Sequence, residues 1–207
     1  MSENPSLEQL SSIVDDLAEQ GWSLQPAFIS QTLTLELAQE CRKRAAQGAL
    51  VPASIGRGQG LAVQEGIRGD RIQWLEPGQS QACDQYLAKL ESLRQAINQG
   101  LYLGLEDYES HFALYPPGAF YKKHLDRFRD DDRRAVSVVL YLNQEWETGQ
   151  GGELRLHLPG GGVRDIAPQA GVLAVFLSAD MPHEVLPAQR ERLSLTGWFR
   201  RRGDSVL

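Results

Sequence analysis

Hydrophobic positions recur at helical spacing in the first hundred residues and at strand spacing in the second. Leu7, Leu10, Ile13, Val14 and Leu17 lay an apolar stripe along a helix over residues 6–20, with Ser6 and Gln9 as a capping box and Gly21 as its stop. Trp22 to Ile29 reads as a short extended stretch. Leu33, Leu37, Ala38 and Cys41 mark a second helix over 30–47, ended by Gly48. A third, over 80–101, carries Cys83, Tyr86, Leu87, Leu90, Leu93, Arg94 and Ile97 inward. Between the last two, residues 54–70 (SIGRGQGLAVQEGIRGD) hold five glycines, too many for a stable helix. A disordered loop and a mobile lid over a substrate are both consistent with them. Arg71 to Leu75 then alternates like a strand, and Glu76 to Gln79 is a turn.

After Gly104 the period changes to two. Short strands are predicted over 110–115, 120–124, 135–142, 153–158, 163–166, 172–177, 183–186 and 193–199, separated by Gly- and Pro-rich turns. The run AVSVVLYL over 135–142 is nearly continuous and rich in β-branched residues, as a buried strand should be. The expected fold class is α+β: a double-stranded β-helix (a jelly roll, cupin-like) with N-terminal supporting helices. The expected organisation is one domain over 1–207. It comprises a helical support region, 1–104, with the glycine-rich lid at 54–70, and a jelly-roll catalytic core at 105–200.

Composition adds mainly exclusions. A net charge of −6 gives no general reason to expect a nucleic-acid partner, and the basic run Arg200-Arg201-Arg202 reads as a solvated tail after the last strand. The two cysteines, Cys41 and Cys83, have neither metal-ligand nor disulfide-framework spacing and read as buried or half-buried free thiols. The start MSENPSLEQL lacks a basic segment and an apolar segment, and no run is long enough to span a bilayer. The expected location is cytoplasmic, with no membrane partner.

The candidate chemistry lies between Tyr115 and Tyr141 and then near residue 183. His124 and Asp126 are two residues apart, which on a strand points both to one face. His183 follows much later, and Arg192 nine residues after it. Two histidines and a carboxylate suit a facial Fe(II) site with open positions, and they suit zinc too. Arg192 tilts the choice, because a guanidinium on an inner strand face needs an anion, and a dicarboxylate co-substrate is one. A structural salt bridge to Glu184 or Glu153 is the alternative. His111 and His157 have no matching partner pattern and are read as surface or core residues.

Several local motifs together carry a resemblance. They are Ile67 to Trp74 (IRGDRIQW), His124-Leu125-Asp126, Tyr141 to Trp146 (YLNQEW), Gly151 to Arg155 (GGELR), and Pro182-His183-Glu184-Val185 through Arg192 to Trp198. The chain resembles the Fe(II)- and 2-oxoglutarate-dependent prolyl 4-hydroxylases over roughly residues 65–200. It is closer to the type that acts on hypoxia-inducible factor than to the collagen type, and most similar to the short bacterial members. Arginine rather than lysine as co-substrate anchor is part of that distinction.

The resemblance implies the following roles. His124, Asp126 and His183 bind iron. Arg192 pairs with the 5-carboxylate of 2-oxoglutarate, Tyr141 donates to the same group, and Tyr115 lines that pocket. Asp70 and Arg134 form a pair tying the lid to the core, and Trp74, Tyr121, Arg127 and Trp198 lie near the substrate channel. O2 is the second co-substrate and ascorbate the reductant. The implied partner is a protein presenting a proline, elongation factor Tu in the short bacterial members. Two departures stand out: the Tyr115-to-His124 segment is one residue shorter than in the animal enzymes, and residues 54–66 have their own composition. Two other classes of function share the motifs: a 2-oxoglutarate oxygenase of a small molecule or free amino acid, and a non-catalytic cupin-like binding module.

Overall fold

The computed structural model describes residues 5–53, 66–127 and 131–202. Three helices precede the main run of strands: α1 (Leu7–Gln20), α2 (Gln31–Ala46) and α3 (Gln81–Leu101). Each begins on a serine whose hydroxyl accepts a backbone N–H three residues on: Ser6 from Gln9, Ser30 from Leu33 and Ser80 from Cys83. The capping box expected at Ser6 is only half formed, because the Gln9 side chain donates instead to the carbonyl of Ala27. Gly21, in the left-handed region at φ 81°, closes α1. At 14 residues α1 is near the length at which an isolated helix is marginal, so burial of Leu10, Ile13 and Leu17 is what holds it.

Eleven strands complete the described fold: β1 (Trp22–Gln25), β2 (Val51–Pro52), β3 (Arg71–Trp74), β4 (Leu105–Tyr115), β5 (Tyr121–His124), β6 (Arg134–Tyr141), β7 (Leu154–His157), β8 (Val163–Ile166), β9 (Leu173–Leu177), β10 (His183–Val185) and β11 (Arg192–Arg201). They form two antiparallel sheets. The larger runs β1-β9-β6-β11-β4-β3-β2 and the smaller β5-β10-β7-β8. The eight strands expected after Gly104 are β4 to β11; β4 begins earlier than its pattern suggested, at Leu105.

Alternation along the central strands sorts side chains between two cores. From β6, Val136, Val138 and Leu140 join the cluster shared with the helices, while Val139 and Tyr141 join the cluster between the sheets. In β11, Leu193, Leu195 and Phe199 face the helices. The intervening Arg192, Thr196 and Trp198 line a cavity between the sheets. The helices therefore press one face of the large sheet and leave the other face to build a site.

The arginines at the end of β11 are not a free tail. Arg200 pairs with Asp107 and Glu109 and Arg201 with Asp132, because β11 continues through Arg201 beside those acidic positions. Cys41 and Cys83 are both buried free thiols. No described helix is long and apolar enough to cross a membrane. Most of the stretch expected to form a lid, residues 54–65, lies outside the described residues.

Candidate active site

His124 ends β5 and His183 begins β10, and antiparallel pairing sets their Cα atoms opposite one another. The imidazoles lie 4.3 Å apart, centre to centre. Asp126, two residues beyond β5, reaches both: Oδ1 is 3.5 Å from His124 Nε2 and Oδ2 is 3.5 Å from His183 Nε2. One donor atom from each of the three lies within 4.8 Å of the others, and among the described residues no second group of His, Cys, Asp or Glu does this.

The ring orientations follow from the outer nitrogens. His124 Nδ1 sits 2.7 Å from the carbonyl of Lys122 and His183 Nδ1 sits 3.0 Å from that of Met181. A carbonyl only accepts, so both Nδ1 atoms carry the proton and both Nε2 lone pairs are left for a metal. Burial alone would raise the Asp126 carboxyl, but the His183 and His124 imidazoles outweigh it and hold it far below the usual range. Burial, with His124 nearby, lowers His183 despite the pull of Asp126. Two imidazoles presenting Nε2 and one carboxylate make up the donor set of a facial divalent-metal site.

The triad opens into a cavity of about 350 Å³, within the range of small-ligand sites. A wider groove, about 960 Å³, runs between the helices but is remote from the triad. At one end of the triad's cavity Arg192, 2% exposed, sits with its guanidinium 5.0 Å from the Tyr115 ring centre and 5.1 Å from that of Tyr141. Its Nε donates to the carbonyl of Gly152 (2.8 Å) and Nη1 to Ser194 Oγ (3.4 Å), and no carboxylate among the described residues pairs with it. The salt bridge to Glu184 or Glu153 is absent; Glu184 instead meets His157 at 3.0 Å. The Tyr141 hydroxyl is buried without a partner, and burial pushes it up to about 12. A buried cation without an anion, beside an unpaired phenol that stays protonated, is a cradle shaped for a carboxylate.

The other end holds Trp74, His111, Tyr121, Arg134 and Trp198. Arg134 stacks over the Trp198 ring at 3.5 Å and donates to Glu109 at 2.9 Å. The expected Asp70–Arg134 pair is replaced. Asp70 accepts a two-pronged bond from Arg68 (2.5 and 2.8 Å), which lies only two residues away and satisfies the buried carboxylate locally. Arg127 does not line the cavity; its side chain is 40% exposed and approaches Asp132.

Two further residues, Arg68 and His111, shape this end. Arg68 lies over the Tyr121 ring (4.9 Å) and fixes Asp70. His111 is sandwiched between Trp74 (5.0 Å) and Trp198 (5.5 Å), with Nε2 3.5 Å from Arg68. Burial, with Arg68 and Arg134 adding to it, drives His111 well below its usual range, so it is a neutral wall residue. Its alternation with Ala113 and Tyr115 along β4 is the one signal that could have placed it on this face.

Residues 110–200 match the model of the 2OG-Fe(II) oxygenase superfamily. A crystal structure of a prolyl-4-hydroxylase from Pseudomonas putida is 62% identical, covers 94% of this chain and 100% of its own, and superposes with a TM-score of 0.87. The chain belongs to the prolyl 4-hydroxylases of that superfamily. A prolyl hydroxylase from Trichoplax adhaerens, solved with a peptide fragment of the hypoxia-inducible-factor oxygen degradation domain, is 26% identical over 93% of this chain and 89% of its own, with a TM-score of 0.83. Human Egl nine homolog 1 is 32% identical over 142 residues, 64% of this chain but only 33% of that longer protein. Membership decides between the two metals left open by the donor set. Fe(II), 2-oxoglutarate and O2 are the cofactor and co-substrates of this prolyl 4-hydroxylase family, and the double-stranded β-helix is its fold.

Proposed function

We propose that the protein hydroxylates a prolyl residue of a protein substrate at C4, converting 2-oxoglutarate and O2 to succinate and CO2. The observation that carries this is the meeting, in one cavity, of three converging metal donors and a buried arginine with no anion of its own. His124, Asp126 and His183 would hold Fe(II), their imidazole and carboxylate donors being the set that such an ion takes in this family. When bound, the iron supplies the activation of O2 that couples decarboxylation to oxygen insertion.

The chain's own residues do the rest. Arg192 neutralises the far carboxylate of 2-oxoglutarate, and the Tyr141 hydroxyl donates to it. Tyr115 forms the adjoining wall and remains a phenol, because burial raises it far above neutral pH. Trp74, Tyr121, Arg134 and Trp198 form the opposite wall, where a prolyl ring meets apolar aromatic faces and Arg134 offers a donor to the carbonyl beside it. Proline has no N–H, so recognition of its backbone rests on that acceptor. Asp70 contributes through Arg68, whose guanidinium it holds against Tyr121. Ascorbate acts as the external reductant.

Elongation factor Tu is the substrate that the sequence motifs' resemblance implies, and the Trichoplax relative's peptide fragment supports a peptide segment as the form in which the proline arrives. The test is to incubate purified elongation factor Tu with the enzyme, Fe(II), ascorbate and 2-oxoglutarate, and to map products by mass spectrometry. One prolyl peptide should gain about 16 Da, the mass of the single oxygen atom inserted. Turnover of 2-oxoglutarate with an unmodified factor would reassign the substrate, to another protein or to a free amino acid. No turnover with any substrate would leave a binding module.

A further inference from the structure

The two histidines of the triad are placed by strand pairing, but Asp126 is not. It sits in a bend after β5, in a segment without ladder bonds. Its side chain is nevertheless buried, and a carboxylate free to rotate would not present the same oxygen from one moment to the next. Asp126 Oδ2 accepts a 2.7 Å bond from the hydroxyl of Ser137, and Ser137 Oγ lies 2.8 Å from Ser178 Oγ. Both serines are fully buried. Ser137 belongs to the middle of β6, paired with Trp198 of β11 and Phe176 of β9, and is the one polar side chain between Ala135 and Leu140. Ser178 follows β9, and its carbonyl accepts the N–H of Arg127, the residue after Asp126.

From these contacts we infer that Ser137 and Ser178 are positioning residues that lock the Asp126 carboxylate to the large sheet. The inference rests on the metal role proposed above for the triad. A metal-bound carboxylate accepts only, so Ser137 must donate to Oδ2. Its proton is then committed, and Ser178 must donate to Ser137. The relay therefore runs one way, Ser178 to Ser137 to Asp126, with each hydroxyl proton fixed. It occupies one lone pair of Oδ2 and fixes rotation of the carboxylate, while the Ser178 carbonyl ties down the backbone on the far side. Outer partners of this kind orient metal ligands and set how strongly they bind.

The test is Co(II) binding to the full-length protein without O2, read as Kd by chelator competition and as the visible spectrum of the bound ion, with thermal unfolding as the check on folding. Ser137→Ala should bind Co(II) about 10- to 100-fold more weakly, the usual cost of losing such a partner. Its spectrum should shift, because a freed carboxylate changes its mode of coordination. Ser137→Thr, which keeps the hydroxyl, should restore both readouts. Ser178→Ala should weaken binding several-fold, since Ser137 keeps its donor bond but loses the one that orients it. Wild-type Kd and spectrum in folded Ser137→Ala, or equal loss in folded Ser137→Ala and Ser137→Thr, would overturn the inference. Should Ser137→Ala not fold, Ser178→Ala decides, and wild-type Kd there overturns it. Failure of the triad reading is distinguishable, because wild-type protein itself would then take up no Co(II).

Discussion

Arg192 brings a charge into a wall where it is 2% exposed and, among the described residues, hydrogen-bonds only a carbonyl and a distant hydroxyl beside two aromatic rings. Burying an unpaired ion costs several kcal/mol even after relaxation, whereas the bond to the Gly152 carbonyl returns only about 1 kcal/mol, or somewhat more for a charged donor. Without co-substrate, Arg192→Met, which keeps much of the side-chain volume between Tyr115 and Tyr141 and removes the charge, should therefore unfold at or above the wild-type temperature. With 2-oxoglutarate the order should reverse. Ligand at 100 times its Kd stabilises the wild type by about 2.7 kcal/mol, which for a chain of this size is roughly 5–10 °C. Loss of the charged contact costs about 2–5 kcal/mol, or about 30- to 4,000-fold in Kd, so at the same concentration Arg192→Met should keep at most about 0.9 kcal/mol of that stabilisation, a shift of roughly 2–3 °C or less. The assay is thermal unfolding with excess Mn(II) under nitrogen, titrated with 2-oxoglutarate. A full ligand-induced shift in the variant would refute the anchor. A variant less stable than wild type by about 3 kcal/mol without ligand would also count against it, by showing that Gly152 and Ser194 already satisfy the guanidinium.

Other outcomes follow from single side chains. His111 is held neutral by burial, by Arg68 and by Arg134 against the opposing pull of Asp126, so its folded pKa lies below its unfolded one. Its contribution is complete above about pH 6.5 and is lost as pH falls from there toward the lowered folded value, by up to about 1.4 kcal/mol per pH unit. Urea unfolding of metal-free wild type and His111→Asn from pH 7.5 to 5 should diverge below 6.5, with the wild type falling faster; parallel curves would contradict this. Gly152 is at φ 76°, and an added Cβ would lie 2.9 Å from Ala188 Cβ and 3.0 Å from Trp146 Cζ2. Gly152→Ala should cost about 2–4 kcal/mol and weaken 2-oxoglutarate binding by displacing the carbonyl that orients Arg192; unchanged unfolding and binding would show that the turn can relax. His183→Ala should abolish both metal uptake and 2-oxoglutarate turnover, measured by metal content and succinate release. Retained stoichiometric metal in that variant would place the ion elsewhere.

The elements themselves were legible in the chain, because each rests on a local rule. Serine caps and a 3.6-residue apolar period placed α1 to α3 within a residue or two. The run at 135–142 announced a buried strand; that Val136, Val138 and Leu140 meet the helices while Val139 and Tyr141 meet the other sheet came only from the structure. His124 and Asp126, two apart, with Arg192 on a late strand, were likewise visible as residue types whose burial demands a partner. Pairing across the fold was not visible. Asp70 and Arg134 were expected to meet, yet Asp70 takes Arg68 and Arg134 stacks on Trp198, because the choice among several cations depends on which strand edges the topology brings together. Arg127, which the resemblance placed near the substrate channel, turns away from the cavity toward Asp132. His111 and Ser137 looked like ordinary strand residues. Only the closing of β4, β6 and β11 side by side, with β5 and β10 set across from them, made one a wall of the cavity and the other a hydrogen-bond donor to Asp126. Local periodicity decides which face a side chain takes, whereas its partner on that face is set by contacts between residues far apart in the chain.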